Sequence, residues 1–349
     1  GNIRVHGNSS TILLPSSVAS TRSLKPYARR FDLYVLNYVK TWRITTQPAH
    51  PLPACGRSYA YPAVLFSSGG YGGNQFHDFT DLLIPLFLTS RQFNGSVIFL
   101  LTNKRYPWPS KYDEILHNLS KYEIINVDAE QEVLCFPRII AGLRSHKEMG
   151  IDPQQFPHYS MRDFRHFLRT TYSLERSSIS DSPRSIRPRL LIISRKGSRV
   201  LKNEEQVAEL ARTTGFDVVM TEIDSNKTSR VARFINSFDV ILGIHGAGLT
   251  NMVYLPDGAL VVEIVPFGVE GLAKPCFQIP SKDMNLRHIE YIVSLNESSL
   301  EGKYPADSEV YRHPGEILKR GFSDFRTFYL DNQDVTLDLG RFRRILSRA

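Results

Sequence analysis

The sequence predicts an α/β protein, and three observations carry that prediction. Short apolar runs read as buried strands, with Ala63-Val64-Leu65-Phe66-Ser67 and Leu190-Leu191-Ile192-Ile193-Ser194 the clearest. Turns and helical segments alternate with such runs, the pattern of parallel sheets. The alternation also starts twice, on either side of a polar, serine-rich stretch at residues 173–189 that holds two prolines. We therefore expect two Rossmann-like domains facing a cleft. The first domain would cover 1–180 and the second 181–330. A final amphipathic helix at 331–349 would pack back on the first.

The elements follow in order. Ile12-Leu13-Leu14 and Phe31 to Val35 are short strand candidates in an irregular, β-rich start. The strand Ala63–Ser67 runs into Ser68-Gly69-Gly70-Tyr71-Gly72-Gly73-Asn74, and then into an apolar helix from Gln75 to Thr89. Strands at 96–101, 122–127 and 138–143 and helices at 112–119 and 160–172 complete the first half. In the second half strands are expected at 190–194, 216–220, 239–244 and 259–265. Asn203, followed by Glu204 and Glu205, reads as the cap of a helix reaching Thr213, and 227–237 reads as another helix.

Composition narrows the class. The chain has 349 residues, 42% hydrophobic and 22% charged, with a net charge of +8. That is a globular composition with enough residues for two cores. The positive charges are spread without a dense tract or a zinc-finger spacing, so no nucleic acid is expected as a partner; a basic cleft for a diphosphate fits instead. No run has the roughly 18–20 apolar residues of a membrane span. The start, Gly1-Asn2-Ile3-Arg4, lacks Met and a signal pattern and reads as a trimmed fragment from which targeting segments have been removed. Sequons at Asn8, Asn94, Asn118, Asn226 and Asn296 point to the secretory pathway. There a disulfide is expected, with Cys55–Cys135 as the pairing chosen from the three cysteines, the third being Cys276.

Two constellations carry chemistry. In the first, glycines at 69, 70, 72 and 73 let a backbone approach a ligand, with Gly73 and Asn74 as contacts. Gln75 stands where a dinucleotide fingerprint needs its last glycine, so that site is not predicted. On the helix that follows, His77 and Asp81 share a face. A carboxylate on one imidazole nitrogen leaves the other to take a proton from an acceptor hydroxyl, with Asp78 a rival base. The same residues equally suit a structural role, two acids at a helix N-terminus and a satisfied histidine.

The second constellation is Gly243-Ile244-His245-Gly246-Ala247-Gly248-Leu249-Thr250-Asn251, with Glu263 on the next strand. It falls at a strand's carboxyl end, where open α/β sheets bind ligands. Small residues at 246–248 free backbone N–H groups for a phosphate, and Thr250 and Asn251 add side-chain donors. Glu263 could accept ribose hydroxyls; the plainer reading is a tight turn beside a buried Glu. Arg195 and Lys196, in Ser194-Arg195-Lys196-Gly197, put two cations at the same sheet edge. There is no Asp-x-Asp, so no metal and no cofactor is expected, and basic groups would have to stabilise the leaving diphosphate.

These segments resemble plant members of glycosyltransferase family sixty-one. So do Ile151-Asp152-Pro153, Tyr159-Ser160-Met161-Arg162-Asp163-Phe164, Asn203-Glu204-Glu205 and Leu295-Asn296-Glu297-Ser298-Ser299-Leu300. The resemblance runs in order over nearly the whole chain. It implies a GT-B fold, a Golgi type II membrane protein with its anchor removed here, and an inverting, metal-independent transfer. It also implies a UDP-pentose donor (xylose or arabinofuranose) and a xylan acceptor. It places His77 and Asp81 on the acceptor side, and Arg195, His245 to Asn251 and Glu263 at the nucleotide. An N-glycan core xylosyltransferase, a protein O-GlcNAc transferase and a non-catalytic polysaccharide-binding relative are the other readings. The oligomeric state is left open.

Overall fold

The structure is a computed structural model and describes residues 3–47, 52–181, 187–224 and 226–348. It is a mixed α/β protein of two compact units, Gly1–Ser160 and Met161–Ala349.

In the first unit the expected strand Ala63–Ser67 forms and pairs in parallel with Ile98–Thr102 on one side and Ile139–Ala141 on the other. Ile125–Asn126 completes a four-stranded parallel sheet. One face of this sheet carries helices, with Trp108 set edge-on to Phe66 at 6.2 Å. The other face meets a six-stranded mixed sheet that the sequence reading did not assemble. Its order is Ser20–Leu24, Trp42–Gln47, Thr11–Pro15, Ile3–His6, Val133–Phe136 and Arg57–Ser58. Val5, Ile12, Trp42, Leu134 and Phe136 from the mixed sheet pack with Ala63, Leu65, Ile98 and Leu100 from the parallel one. A β-layer thus takes the place of one of the helical layers expected of a doubly wound domain. Cys135 lies on this sheet and is bonded to Cys55.

Phe31 to Val35 is not a strand. Asp32 accepts the N–H of Val35 at 3.1 Å and starts a short helix, Leu33–Leu36, so capping wins over β propensity.

The second unit holds five parallel strands, Arg189–Ile193, Asp217–Thr221, Val240–Ile244, Leu260–Val265 and Arg287–Ile292. Numbered along the chain, their spatial order is 2-1-3-4-5. The order reverses between the first and third strands, where Ile192 stands opposite Leu242. Such a switch point opens a crevice at the strands' carboxyl ends.

Two boundaries differ from expectation. The helix Met161–Tyr172 belongs to the second unit. Its Arg165 is buried, pairs with Asp257 at 2.8 Å and donates to the carbonyls of Val253, Leu255 and Met284. A buried guanidinium needs all these acceptors, so it ties the helix down. The stretch expected to be a linker is likewise held on this unit. Arg176 pairs with Asp239, and the N–H of Ile179 reaches the carbonyl of Asp257 at 3.0 Å. Residues 182–186 of that stretch lie outside the described residues.

The C-terminal helix forms over Leu339–Leu346, but it packs on the second unit, not back on the first. Phe342 and Leu346 share a core with Leu190, Val207 and Tyr291. Asn203 precedes its helix as expected, yet its side chain does not cap it. It bonds both ways to the backbone of Leu337, at 2.9 and 3.0 Å, and so fixes the path into the last helix. Each apolar side chain buried here contributes about 2 kcal/mol, and that gain places the helix. No helix among the described residues is long and apolar enough to cross a membrane.

Candidate functional site

The glycine turn of the first unit is tight. Gly70 has φ +62°, and a Cβ there would come within 2.8 Å of the Tyr27 ring. The N–H of Gly73 donates to Asp78 Oδ1 at 2.8 Å, and the Asn74 side chain accepts the N–H of Phe76 at 3.0 Å. The N–H of Gly73 and the side-chain oxygen of Asn74, two residues expected as ligand contacts, thus help to start the helix, and both residues are exposed.

That helix runs from Gln75–His77 through a π-helical turn, Asp78–Leu83, into Ile84–Ser90. Such turns inside α-helices are frequent at functional sites. The expected pair is present: His77 Nδ1 lies 3.0 Å from Asp81 Oδ2. Asp81 is buried and also accepts from the Tyr27 hydroxyl at 2.8 Å and from Arg29 Nη2 at 2.9 Å. Burial opposes its charge, but the hydrogen bond from His77 and the Arg29 guanidinium outweigh it and hold the carboxyl below the usual range. Arg29 in turn is braced by Glu148, at 2.7 Å from Nη2. The His77 side chain keeps 23% of its surface exposed, with the Tyr71 ring 4.3 Å away, centroid to centroid.

Asp78 is different. It is 0% exposed, and besides the Gly73 N–H it accepts from the Tyr112 hydroxyl at 2.9 Å and Lys111 Nζ at 3.4 Å. Burial pushes its carboxyl above the usual range, against the lowering pull of those donors. Two acids three positions apart are thus driven in opposite directions, and the side chain of Asp78 is committed to the glycine turn. Tyr27, Arg29, Glu148 and Tyr112 were not found from the sequence. Arg29 meets Asp81 across 52 residues, and no local spacing signals such a contact.

In the second unit, Gly246 follows the third strand with φ +151°. A Cβ there would lie 2.9 Å from Arg195 Nη1 and 3.3 Å from Arg199 Nη1. Arg195 Nε donates to the Ser198 carbonyl at 3.1 Å, and Arg199 Nη1 to the His245 carbonyl at 2.9 Å. No carboxylate among the described residues forms an ion pair with either one. Burial lowers both guanidinium pKa values, and Arg199, pressed further by Arg195, is pushed down to about 10. Arg199 Nε is buried without a partner. Arg199 was missed by the sequence reading, although the run Arg195-Lys196-Gly197-Ser198-Arg199 carried the signal. Two half-buried cations beside a glycine turn, with Asp331 acting on Arg199 only at a distance, suit a dianion.

Several expected contacts take other roles. Lys196 is 87% exposed and pairs with Glu222 at 2.9 Å. Thr250 and Asn251 are buried, and the Asn251 amide donates to the carbonyl of Gly248 at 2.8 Å. Leu249 is buried beneath Gly243, while Gly246, Ala247 and Gly248 stay partly accessible. Glu263 is 0% exposed, so the expected hydroxyl contact is closed to it. Its Oε1 lies 2.6 Å from His245 Nδ1 and its Oε2 2.9 Å from His288 Nε2. Burial opposes its charge, and the two imidazoles outweigh that and hold its carboxyl below the usual range. Glu263, His288 and Glu290 bring ligand-type atoms within 4.8 Å of one another, a grouping of a type that can hold a metal ion.

Residues 76–262 match the sequence model of Glycosyltransferase 61. The chain is 41% identical to the alpha-1,3-arabinosyltransferase XAT3 of Oryza sativa subsp. japonica, over 100% of this chain and 62% of that protein. It is 39% identical to the beta-1,2-xylosyltransferase XYXT1 of the same organism, over 95% of this chain and 72% of the relative. It is 32% identical to the xylan glycosyltransferase MUCI21 of Arabidopsis thaliana, over 100% of this chain and 76% of the relative. It thus spans about three fifths of the length of the arabinosyltransferase it matches. With both constellations present and a match of this extent, the chain belongs to the glycosyltransferase 61 family.

Proposed function

We propose that this protein is an inverting, metal-independent pentosyltransferase of the GT-B type that moves xylose or arabinofuranose from a UDP-sugar to xylan. The observation that carries the reading is the Arg195–Arg199 pair beside Gly246, two cations at a sheet switch point that form no direct ion pair among the described residues. The names of its relatives, transferases of arabinose and xylose, support the donor and acceptor class.

In this reading a xylan hydroxyl gives its proton to His77 Nε2 as its oxygen attacks the anomeric carbon. The bond from that carbon to the diphosphate oxygen breaks on the opposite face, and the configuration inverts. Asp81 orients His77 and stabilises the imidazolium that forms. Arg195, Arg199 and the backbone at 246–248 receive the charge of the leaving UDP. His77 is preferred to Asp78 because Asp78 is fully buried and held by three donors. We further place the protein in the Golgi lumen as an N-glycosylated type II membrane protein; all five sequon asparagines are exposed.

The test is UDP release from UDP-xylose, UDP-arabinofuranose and UDP-N-acetylglucosamine, with xylohexaose as acceptor. Release with a pentose donor, together with a xylohexaose product heavier by one pentose, is expected. Transfer only from UDP-N-acetylglucosamine, or none to xylohexaose, refutes the reading.

A further inference from the structure

The second unit buries the side chains of two histidines that the reaction above does not use, His245 and His288. His288 lies on the outermost strand of the five-stranded sheet, its side chain 2% exposed, and gives Nε2 to Glu263 at 2.9 Å. Its other nitrogen, Nδ1, is buried with no partner. An N–H at that nitrogen would be a buried donor left unpaired, which costs more than an unpaired lone pair. His288 therefore donates from Nε2 and is a fixed donor to Glu263.

That donor occupies one oxygen of Glu263. The other oxygen faces His245 Nδ1 at 2.6 Å, and a carboxylate there requires an N–H in return. The hydrogen of His245 is thereby fixed on Nδ1, leaving Nε2 as an acceptor. The rest of His245 is held too. Its N–H reaches the carbonyl of Ile264 at 2.9 Å, its carbonyl accepts from Arg199, and its ring meets the edge of Phe277 at 5.3 Å. The His245 carbonyl, bonded to Arg199, sets this residue beside the arginine pair, and an imidazole acceptor on it suits a hydroxyl carried by the same ligand as the phosphates. The hydroxyl-accepting role that sequence assigned to Glu263 passes in this way to His245.

We propose that His288 is a positioning residue for the nucleotide: through Glu263 it holds His245 with Nε2 turned to accept a ribose hydroxyl of the donor. This rests on the reading of the sheet edge as a nucleotide site. The relay has the same logic as the outer-shell carboxylates that set a histidine tautomer at metal sites, with a second imidazole in the outer place.

The experiment compares wild type, His288→Leu and His288→Gln, whose amide can still donate to Glu263. UDP, 2′-deoxy-UDP and inorganic pyrophosphate are titrated calorimetrically, and imidazole nitrogens are assigned by NMR. Wild type is expected to show His245 protonated at Nδ1 and to prefer UDP to 2′-deoxy-UDP. His288→Leu should bind UDP about tenfold more weakly, raise donor KM more than it lowers kcat, and leave pyrophosphate binding in place. His288→Gln should recover most of the UDP affinity. The proposal is overturned if His288→Leu binds UDP like wild type, if glutamine fails to rescue, or if His245 carries its proton on Nε2. Should His288→Leu fail to fold, the glutamine variant and the wild-type tautomer decide. If wild type binds no UDP, the nucleotide reading itself falls, and the tautomers of His245 in wild type and His288→Gln still show whether the relay exists.

Discussion

His77 and Asp81 face each other across one helical turn at 3.0 Å, and the far side of the Asp81 carboxylate is closed by Arg29 at 2.9 Å. The carboxylate is therefore held charged and fixed, and it sets the orientation of the His77 ring.

His77→Ala is expected to lower turnover by about 10²–10⁴-fold, the usual contribution of a positioned base, while UDP affinity is retained. Asp81→Asn should lower turnover less. Asp78→Asn should act mainly on thermal stability, since Asp78 holds Gly73 and Tyr112. Near-normal turnover in His77→Ala would remove it as the base.

Acid stability follows from Asp81. Its folded pKa is depressed below an unfolded value of about 3.9. A group of this kind stabilises the fold above the unfolded value, and the contribution is lost as pH falls through the folded one. The melting temperature is therefore expected to fall in acid below about pH 4. Asp81→Asn should flatten that limb of the curve; identical acid limbs in the two proteins would contradict the assignment.

Arg199→Ala and Arg195→Ala should each weaken UDP binding by roughly tenfold to a hundredfold, the size of a hydrogen bond to a charged group. The loss should shrink in high salt, where the attraction is screened. UDP should also raise the melting temperature of wild type more than that of either variant. Calorimetry with unchanged affinity in both variants would show that the diphosphate lies elsewhere.

Dialysis against EDTA is expected to leave transfer intact. If activity were lost and manganese restored it, the grouping of Glu263, His288 and Glu290 would be the first place to look, and Glu290→Gln would then lower metal affinity.

The parallel strands were legible because apolar runs such as Leu190 to Ile193 have few alternatives to burial on both faces. The mixed sheet was not. Ser20-Thr21-Arg22-Ser23-Leu24 has no apolar alternation and is a strand only because its neighbour pairs with it. The C-terminal amphipathic pattern predicted a helix, but the expected return to the first domain was not met, because the pattern does not name the core: Phe342 and Leu346 join the core of the second unit. The His77–Asp81 pair could be read from spacing, whereas Tyr27, Arg29 and His288 reach their partners across other elements. Glu263 was found as a candidate and misassigned, since burial depends on the two strands beside it and not on its own segment.

The split of the chain at Ser160 and Met161 has an evolutionary consequence. The groups proposed to hold the sugar nucleotide all follow that point, and the proposed base and its bracing residues all precede it. A gene encoding such a chain can drift in one half while selection holds the other. A change of donor would then leave the proposed proton-transfer residues untouched.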